Sequence, residues 1–308
     1  MLGLGLASSH APAMFEPATM WPRIYQRMPP YMRERQPPEA AAETPAVIEQ
    51  YLARIDAAFG VLRAQLAAYR PAALLVVGDD QGDLFEPSNM PPLAIFTGDE
   101  LWGLDGTHYR PPAERQRLTF RCHGPLARFL HTRLMKRGFE LLGCREFRPV
   151  GPRGGGVSHM VAQPVPRLVP DLSVPIVPIF VNAYYPPLPT AARCYALGAA
   201  LREILAEWPE PVALYASGGL SHDPEGPRAG WIDEPLDRWI LERLERGEGA
   251  ALQHLFTFDS DTLRGGTGEV RAWIVAAGAF PRPARVVEYI RAHHAKAGLA
   301  FAYWPAEP

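Results

Sequence analysis

Four histidines in this sequence fall where an apolar run stops on small residues or glycines. His10 follows the apolar residues 2–7 and Ser8-Ser9, and His222 follows the run 212–215 and Gly218-Gly219. His159 follows Gly154-Gly155-Gly156, and His108 sits in a glycine- and tryptophan-containing loop. Carboxylates occupy comparable places: Asp79-Asp80-Gln81 after the apolar run 72–78, and Glu269 after Gly265-Gly266-Thr267-Gly268. Neutral imidazoles and one carboxylate on the same face of a divalent ion leave positions open for a bidentate substrate and for O2. Taken singly, each residue has a plainer role. A histidine satisfies a loop carbonyl, and a carboxylate caps a turn or a helix start. Several such groups, each released by a different apolar run, favour a site.

The elements that must position them are legible from periodicity. Runs 2–7, 72–78, 93–96, 174–181, 212–215 and 299–304 read as strands, and the run 72–78 is continuous enough for a central strand covered on both faces. Thr44-Pro45 opens a long helix to about residue 69, with Ile48, Leu52, Ile55, Phe59, Leu62 and Leu66 at three- and four-residue spacing. Further helices are expected over 124–137, 190–208, 235–246, 270–277 and 285–297, the last with His293-His294 facing solvent. The expected fold is α/β: a single domain over 1–308 with a central, mostly parallel mixed sheet flanked by helices. The site then lies at the strand carboxyl ends, where open α/β sheets bind their ligands. Residues 14–45 are rich in proline, and also carry Trp21, Tyr25 and Tyr31. They read as a lid-like insert with a short helix, or as a surface excursion or oligomer contact.

Composition excludes several classes. A chain of 308 residues that is 47% hydrophobic can bury a large core, and a net charge of -2 gives no electrostatic footprint for nucleic acid or an anionic membrane. Three cysteines without a Cys-x-x-Cys pair support neither a disulfide framework nor a thiolate zinc site, which fits a reducing cytoplasm. The N-terminal residues lack the pattern of a secretory signal, and no stretch reaches 18 apolar residues. The expected partners are a small molecule and no macromolecular surface; a homodimer is an admissible assembly.

Motifs in order along the chain carry a resemblance. Ser8-Ser9-His10-Ala11-Pro12, Tyr185-Pro186-Pro187 with Arg193-Cys194-Tyr195-Ala196-Leu197-Gly198, Ser217-Gly218-Gly219-Leu220-Ser221-His222 with Gly226-Pro227-Arg228-Ala229-Gly230, and Gly268-Glu269 with Trp273 and Gly278-Ala279-Phe280-Pro281 are the residues concerned. The chain resembles the catalytic subunit of class III extradiol ring-cleavage dioxygenases, the protocatechuate 4,5-dioxygenase type that includes gallate and 3-O-methylgallate dioxygenases. The resemblance implies a non-haem Fe(II) cofactor, an aromatic diol and O2 as substrates, and ring opening next to the diol. It implies His10 and Glu269 as iron ligands, His222 as the acid/base, and His159 as a histidine that contacts substrate. Where the family has Asn-Asp-His after the apolar strand, this chain has Asp79-Asp80-Gln81, so Gln81 is expected to ligate through its amide oxygen, with His108 or water as alternatives. Arg228, Tyr184 and Tyr185 are the expected substrate-binding residues. Protocatechuate-type enzymes cover the site with a small separate subunit, and the insert 14–45 is expected to supply that cover, with Trp21, Tyr25 and Tyr31 lining an aromatic pocket. Other readings of the same scaffold are a metal-poor binding protein and a divalent-metal hydrolase or lyase.

Overall fold

Strand residues that alternate between two apolar environments dictate a sheet with a core on each side. In Ala73–Gly78, Leu75 and Val77 face one core while Leu74 and Val76 face the other. The period of two makes this unavoidable once both faces are covered. The computed structural model describes residues 1–306 except 225 and 227. Ten strands are present among the described residues: β1 Leu2–Ser8, β2 Ala73–Gly78, β3 Leu93–Phe96, β4 Glu100–Leu104, β5 Arg117–Arg121, β6 Leu142–Cys144, β7 Ile176–Val181, β8 Val212–Ser217, β9 Arg285–Ala292 and β10 Ala297–Trp304. Eight form one sheet in the order β6-β3-β7-β2-β8-β1-β10-β9, and β4 pairs with β5 as a separate hairpin.

The neighbours β7, β2, β8 and β1 are parallel to one another, so their carboxyl ends open on the same edge. One face is covered by the helices Gly124–Lys136, Ala191–Leu205, Glu234–Glu245 and Val270–Ala279, and the other by the helix Pro45–Tyr69 with the proline-rich insert. The Pro45–Tyr69 helix begins at the expected cap, where Thr44 Oγ1 accepts from the Val47 amide. No helix among the described residues is long and apolar enough to cross a membrane.

Two expectations need correction. Residues 285–297 are not a helix but belong to the edge hairpin β9–β10, in which β9 is antiparallel to β10 and β10 is antiparallel to β1. Val286, Val287, Tyr289 and Ile290 suit a pleated edge better than a helix, and tertiary pairing with β10 decides. His293 and His294 therefore lie at the hairpin turn; His293 is buried, and the backbone amides of both donate to Glu43 at 2.7 Å.

The insert is folded against the body, but Trp21, Tyr25 and Tyr31 are not among the residues lining the cavity that holds His10, His222 and Glu269. Trp21 is fully buried, its indole N–H donating to Glu16 O, and its ring packs near Tyr51 of the long helix. Tyr25 stacks on His294 at 4.4 Å, and Tyr31 is exposed. Prolines fix the chain direction here while the aromatics serve as anchors.

Candidate metal centre

Each of the four parallel strands hands over one or two polar groups as it ends. β1 leads to His10, β2 to Asp79 and Gln81, β7 to Tyr184, and β8 to His222 by way of the Gly218-Gly219 turn. Gly218 has φ +135 and Gly219 φ +66, and a Cβ on Gly218 would lie 3.0 Å from the Cβ of Glu269. Glycine is needed there both for its backbone freedom and for the close approach. Glu269 closes the turn Gly265–Glu269 ahead of the helix Val270–Ala279, and that helix is fixed to the β8 loop by Trp273 Nε1, which donates to Gly218 O at 2.7 Å.

His10, Asp79 and Glu269 are all buried, and their donor atoms lie within 4.8 Å of one another. His10 Nε2 is 3.2 Å from Glu269 Oε2 and 3.7 Å from Asp79 Oδ1. His10 Nε2 and both carboxylate oxygens of Asp79 have no hydrogen-bond partner. Buried polar atoms are normally satisfied, so unpartnered atoms on two neighbouring buried side chains call for a cation. The tautomer of His10 agrees. Its Nδ1 lies 2.9 Å from Ser217 Oγ, and that hydroxyl spends its one proton on Met160 O at 2.8 Å. Ser217 must then accept from Nδ1–H, which leaves the Nε2 lone pair free for a metal. One imidazole and two carboxylates suit a divalent ion such as Fe(II) or another hard dication.

The electrostatics without an ion are those of compressed like charges. Burial, then the charge of Glu269, pushes the Asp79 carboxyl up to about 7. Burial would also raise Glu269, but the imidazoles of His222 and His10 hold it well below the usual carboxylate range. Burial opposes charge on both of these rings too, yet the adjoining carboxylates raise His10, and Glu269 together with the Leu220 carbonyl raises His222 to about 9. His222 donates from Nδ1 to Leu220 O at 2.9 Å, so Nε2 is the atom that faces the cavity, 3.3 Å from Glu269 Oε1. His159 packs edge-on against His10 at 4.4 Å, and burial followed by the nearby His10 keeps it neutral.

The remaining expected site residues divide by position. Gln81 lies in the cavity, but its Nε2 donates to Glu269 Oε1 at 2.9 Å while its Oε1 accepts from Arg153 at 3.2 Å. The reverse amide orientation would set oxygen against a carboxylate and N–H₂ against a guanidinium, so the network fixes this one. Tyr184 lines the cavity and donates to Glu269 Oε1 at 2.6 Å; Tyr185 is not among the lining residues. Arg228 is not among them either, and borders a separate cleft of about 10 Å³ beyond His222. Asp80 caps the following turn, accepting from the Leu84 and Phe85 amides. Asp79 was legible only as part of the candidate stretch Asp79-Asp80-Gln81, in which Gln81 was the expected ligand. The signal was available, since residues 79 and 81 share a side if strand alternation continues past β2.

The sequence profile of a family described as the catalytic LigB subunit of aromatic ring-opening dioxygenase matches residues 37–301. The chain belongs to this family. The motifs pointed to the catalytic subunit of class III extradiol dioxygenases, and this family bears that resemblance out. Among curated relatives, a protein of Mycolicibacterium paratuberculosis named 2,3-dihydroxyphenylpropionate/2,3-dihydroxicinnamic acid 1,2-dioxygenase is 30% identical over 194 residues, 63% of this chain and 56% of the relative. The gallate dioxygenase of Pseudomonas putida is 34% identical over 162 residues, 51% of this chain and 45% of that protein. The chain thus spans about half the length of the curated relatives it matches. A solved structure of an uncharacterized protein from Escherichia coli K12 covers 98% of this chain at 13% identity, with a TM-score of 0.48.

Proposed function

We propose that this LigB-family chain is a metal-dependent extradiol dioxygenase that adds both atoms of O2 to a catecholic substrate and opens its ring beside the diol. One observation carries the reading in a chain of this family: ligand atoms of His10, Asp79 and Glu269 lie within 4.8 Å of one another at the ends of parallel strands, with His10 Nε2 and the Asp79 oxygens unpartnered. We assign His10, Asp79 and Glu269 as the ligands, and Fe(II) as the ion. Bound there, Fe(II) supplies coordination positions for both diol oxygens and O2, and a route for electrons between them.

The chain's own residues do the rest. His222 exchanges protons at Nε2 because Nδ1 is committed to Leu220 O, so it takes a proton from the entering diol and returns one later. A cation on Glu269 removes much of the charge that holds His222 up, which brings the ring toward the neutral range that a base requires. Tyr184 and Gln81 donate to Glu269 Oε1, while Oε2 accepts from the Gly219 amide alone and keeps a lone pair for the ion. His159, held neutral, offers one N–H to a substrate oxygen. Arg228 and Tyr185 have no part in this scheme.

The test is anaerobic reconstitution with Fe(II), metal analysis, and O2 uptake on adding gallate, protocatechuate or 2,3-dihydroxyphenylpropionate. Near-stoichiometric iron and one O2 consumed per diol are expected. Protein that takes up no divalent ion, or that binds iron and consumes no O2 with any of the three, would overturn the proposal.

A further inference from the structure

The metal end of the site is small. Its cavity is about 60 Å³, whereas a cavity of about 150 Å³ is what accommodates a benzene ring. An aromatic diol seated on the ligands must therefore extend into neighbouring space. The cleft beyond His222 offers about 10 Å³. On the other side, a chamber of about 320 Å³ shares Pro12, His108, Arg153 and His159 with the metal cavity. Of these two neighbouring spaces, the chamber is the one with room for the rest of the substrate.

The chamber is positively charged. Arg115 and Arg153 both line it, with Asp83 as the acidic group on its wall. The Nε of Arg115 is buried and has no hydrogen-bond partner, and Arg153 is anchored at Gln81 Oε1 by one of its nitrogens. His108, at the junction of the two spaces, reports the local field: burial, then Arg153, Arg27, Lys296 and Arg115, hold it neutral down to about 4. Burial also pushes Asp83 up to about 6, which weakens the one acidic counterweight.

We propose that Arg115 and Arg153 form a carboxylate subsite, which binds an acidic substituent of the aromatic diol while the diol faces His10, Asp79 and Glu269. The assignment rests on the ring-opening reading above, since it needs the ring to be oriented by the metal end. Arg115 supplies the uncommitted N–H, and Arg153 links the subsite to the centre through Gln81. The two guanidiniums select substrates by charge at a distance from the reacting atoms.

Anaerobic calorimetry on metal-loaded protein tests this with three probes: 3-(2,3-dihydroxyphenyl)propionate, its neutral primary amide, and catechol. The acid is expected to bind about tenfold tighter than the amide, because a charge-assisted contact is lost in the latter. In Arg115→Gln, and separately in Arg153→Gln, that ratio is expected to fall to about two or less. An acid-to-amide ratio near one in the wild type, with catechol bound, overturns the subsite and leaves the ring-opening reading standing. A ratio unchanged in both variants overturns it equally. If none of the three diols binds, the ring-opening reading itself fails and the subsite falls with it.

Discussion

Asp79 Oδ1 lies 3.7 Å from His10 Nε2, and neither atom has a hydrogen-bond partner. A buried carboxylate left in this way is costly unless an ion is bound, and removal of its charge has opposite consequences in the two states. Asp79→Asn is expected to weaken Fe(II) or Mn(II) binding by at least about 100-fold, since one of the three proposed ligands loses its charge. The metal-free variant should not melt below the metal-free wild type, because Asp79 and Glu269 no longer repel. Calorimetric titration with the metal and thermal unfolding of the metal-free protein check both halves. Metal affinity within about threefold of wild type would remove Asp79 from the ligand set.

The His222–Glu269 contact makes a pH prediction for the metal-free protein. The folded-state value of His222, about 9, lies above its ordinary 6.5. A raised base binds more protons when folded, so its contribution to stability is complete below about pH 6.5 and is lost as pH rises to about 9. The melting temperature of metal-free protein should therefore fall across that window, and His222→Gln should flatten the decline. Metal on Glu269 should bring the imidazole titration down, which NMR of the ring nitrogens with a diamagnetic dication can follow. An unshifted titration would separate His222 from the metal centre.

Why this much was legible follows from particular residues. The strand ends announced themselves because buried parallel strands are continuous apolar runs, and 72–78 and 212–215 stop on glycine or on a polar group. Six of the eight residues expected at the site, His10, Gln81, His159, Tyr184, His222 and Glu269, do meet in one cavity. Which of residues 79 and 81 turns an oxygen toward His10 was hidden, because the amide of Gln81 is oriented by Arg153, 72 positions away. The hairpin β9–β10 was hidden for a similar reason. Its register is set by pairing with β1 at the other end of the chain, and no local periodicity reports that.

Glu43 ties the proline-rich insert to the β9–β10 turn by accepting the amides of His293 and His294. Burial outweighs these two bonds and raises its carboxyl from 4.5 to about 7. The folded protein then binds more protons than the unfolded chain between those values, so this residue makes stability fall as pH rises from about 4.5 to 7. Glu43→Gln is expected to lower the melting temperature near pH 5, where one amide loses its acceptor, by the equivalent of about 1 kcal/mol. It should also flatten the slope across the window. A variant whose profile keeps the wild-type slope would show that another group sets it.

Gly266 gives a test of how tightly His222 is held. A Cβ at this position would lie 2.1 Å from His222 Nε2, while its backbone is not among the positive-φ glycines, so alanine is excluded by the imidazole and not by the main chain. In Gly266→Ala the ring must rotate or shift away from Glu269, and the loop 218–222 is fixed by Asp237, which accepts from both the amide and the hydroxyl of Ser221. The variant should fold and retain metal, because His10, Asp79 and Glu269 are not displaced. Its turnover should fall by about 100-fold or more, the range that a misplaced general base costs. That combination would locate proton transfer at His222 Nε2. Wild-type turnover in Gly266→Ala would mean that the reaction does not depend on where this ring stands.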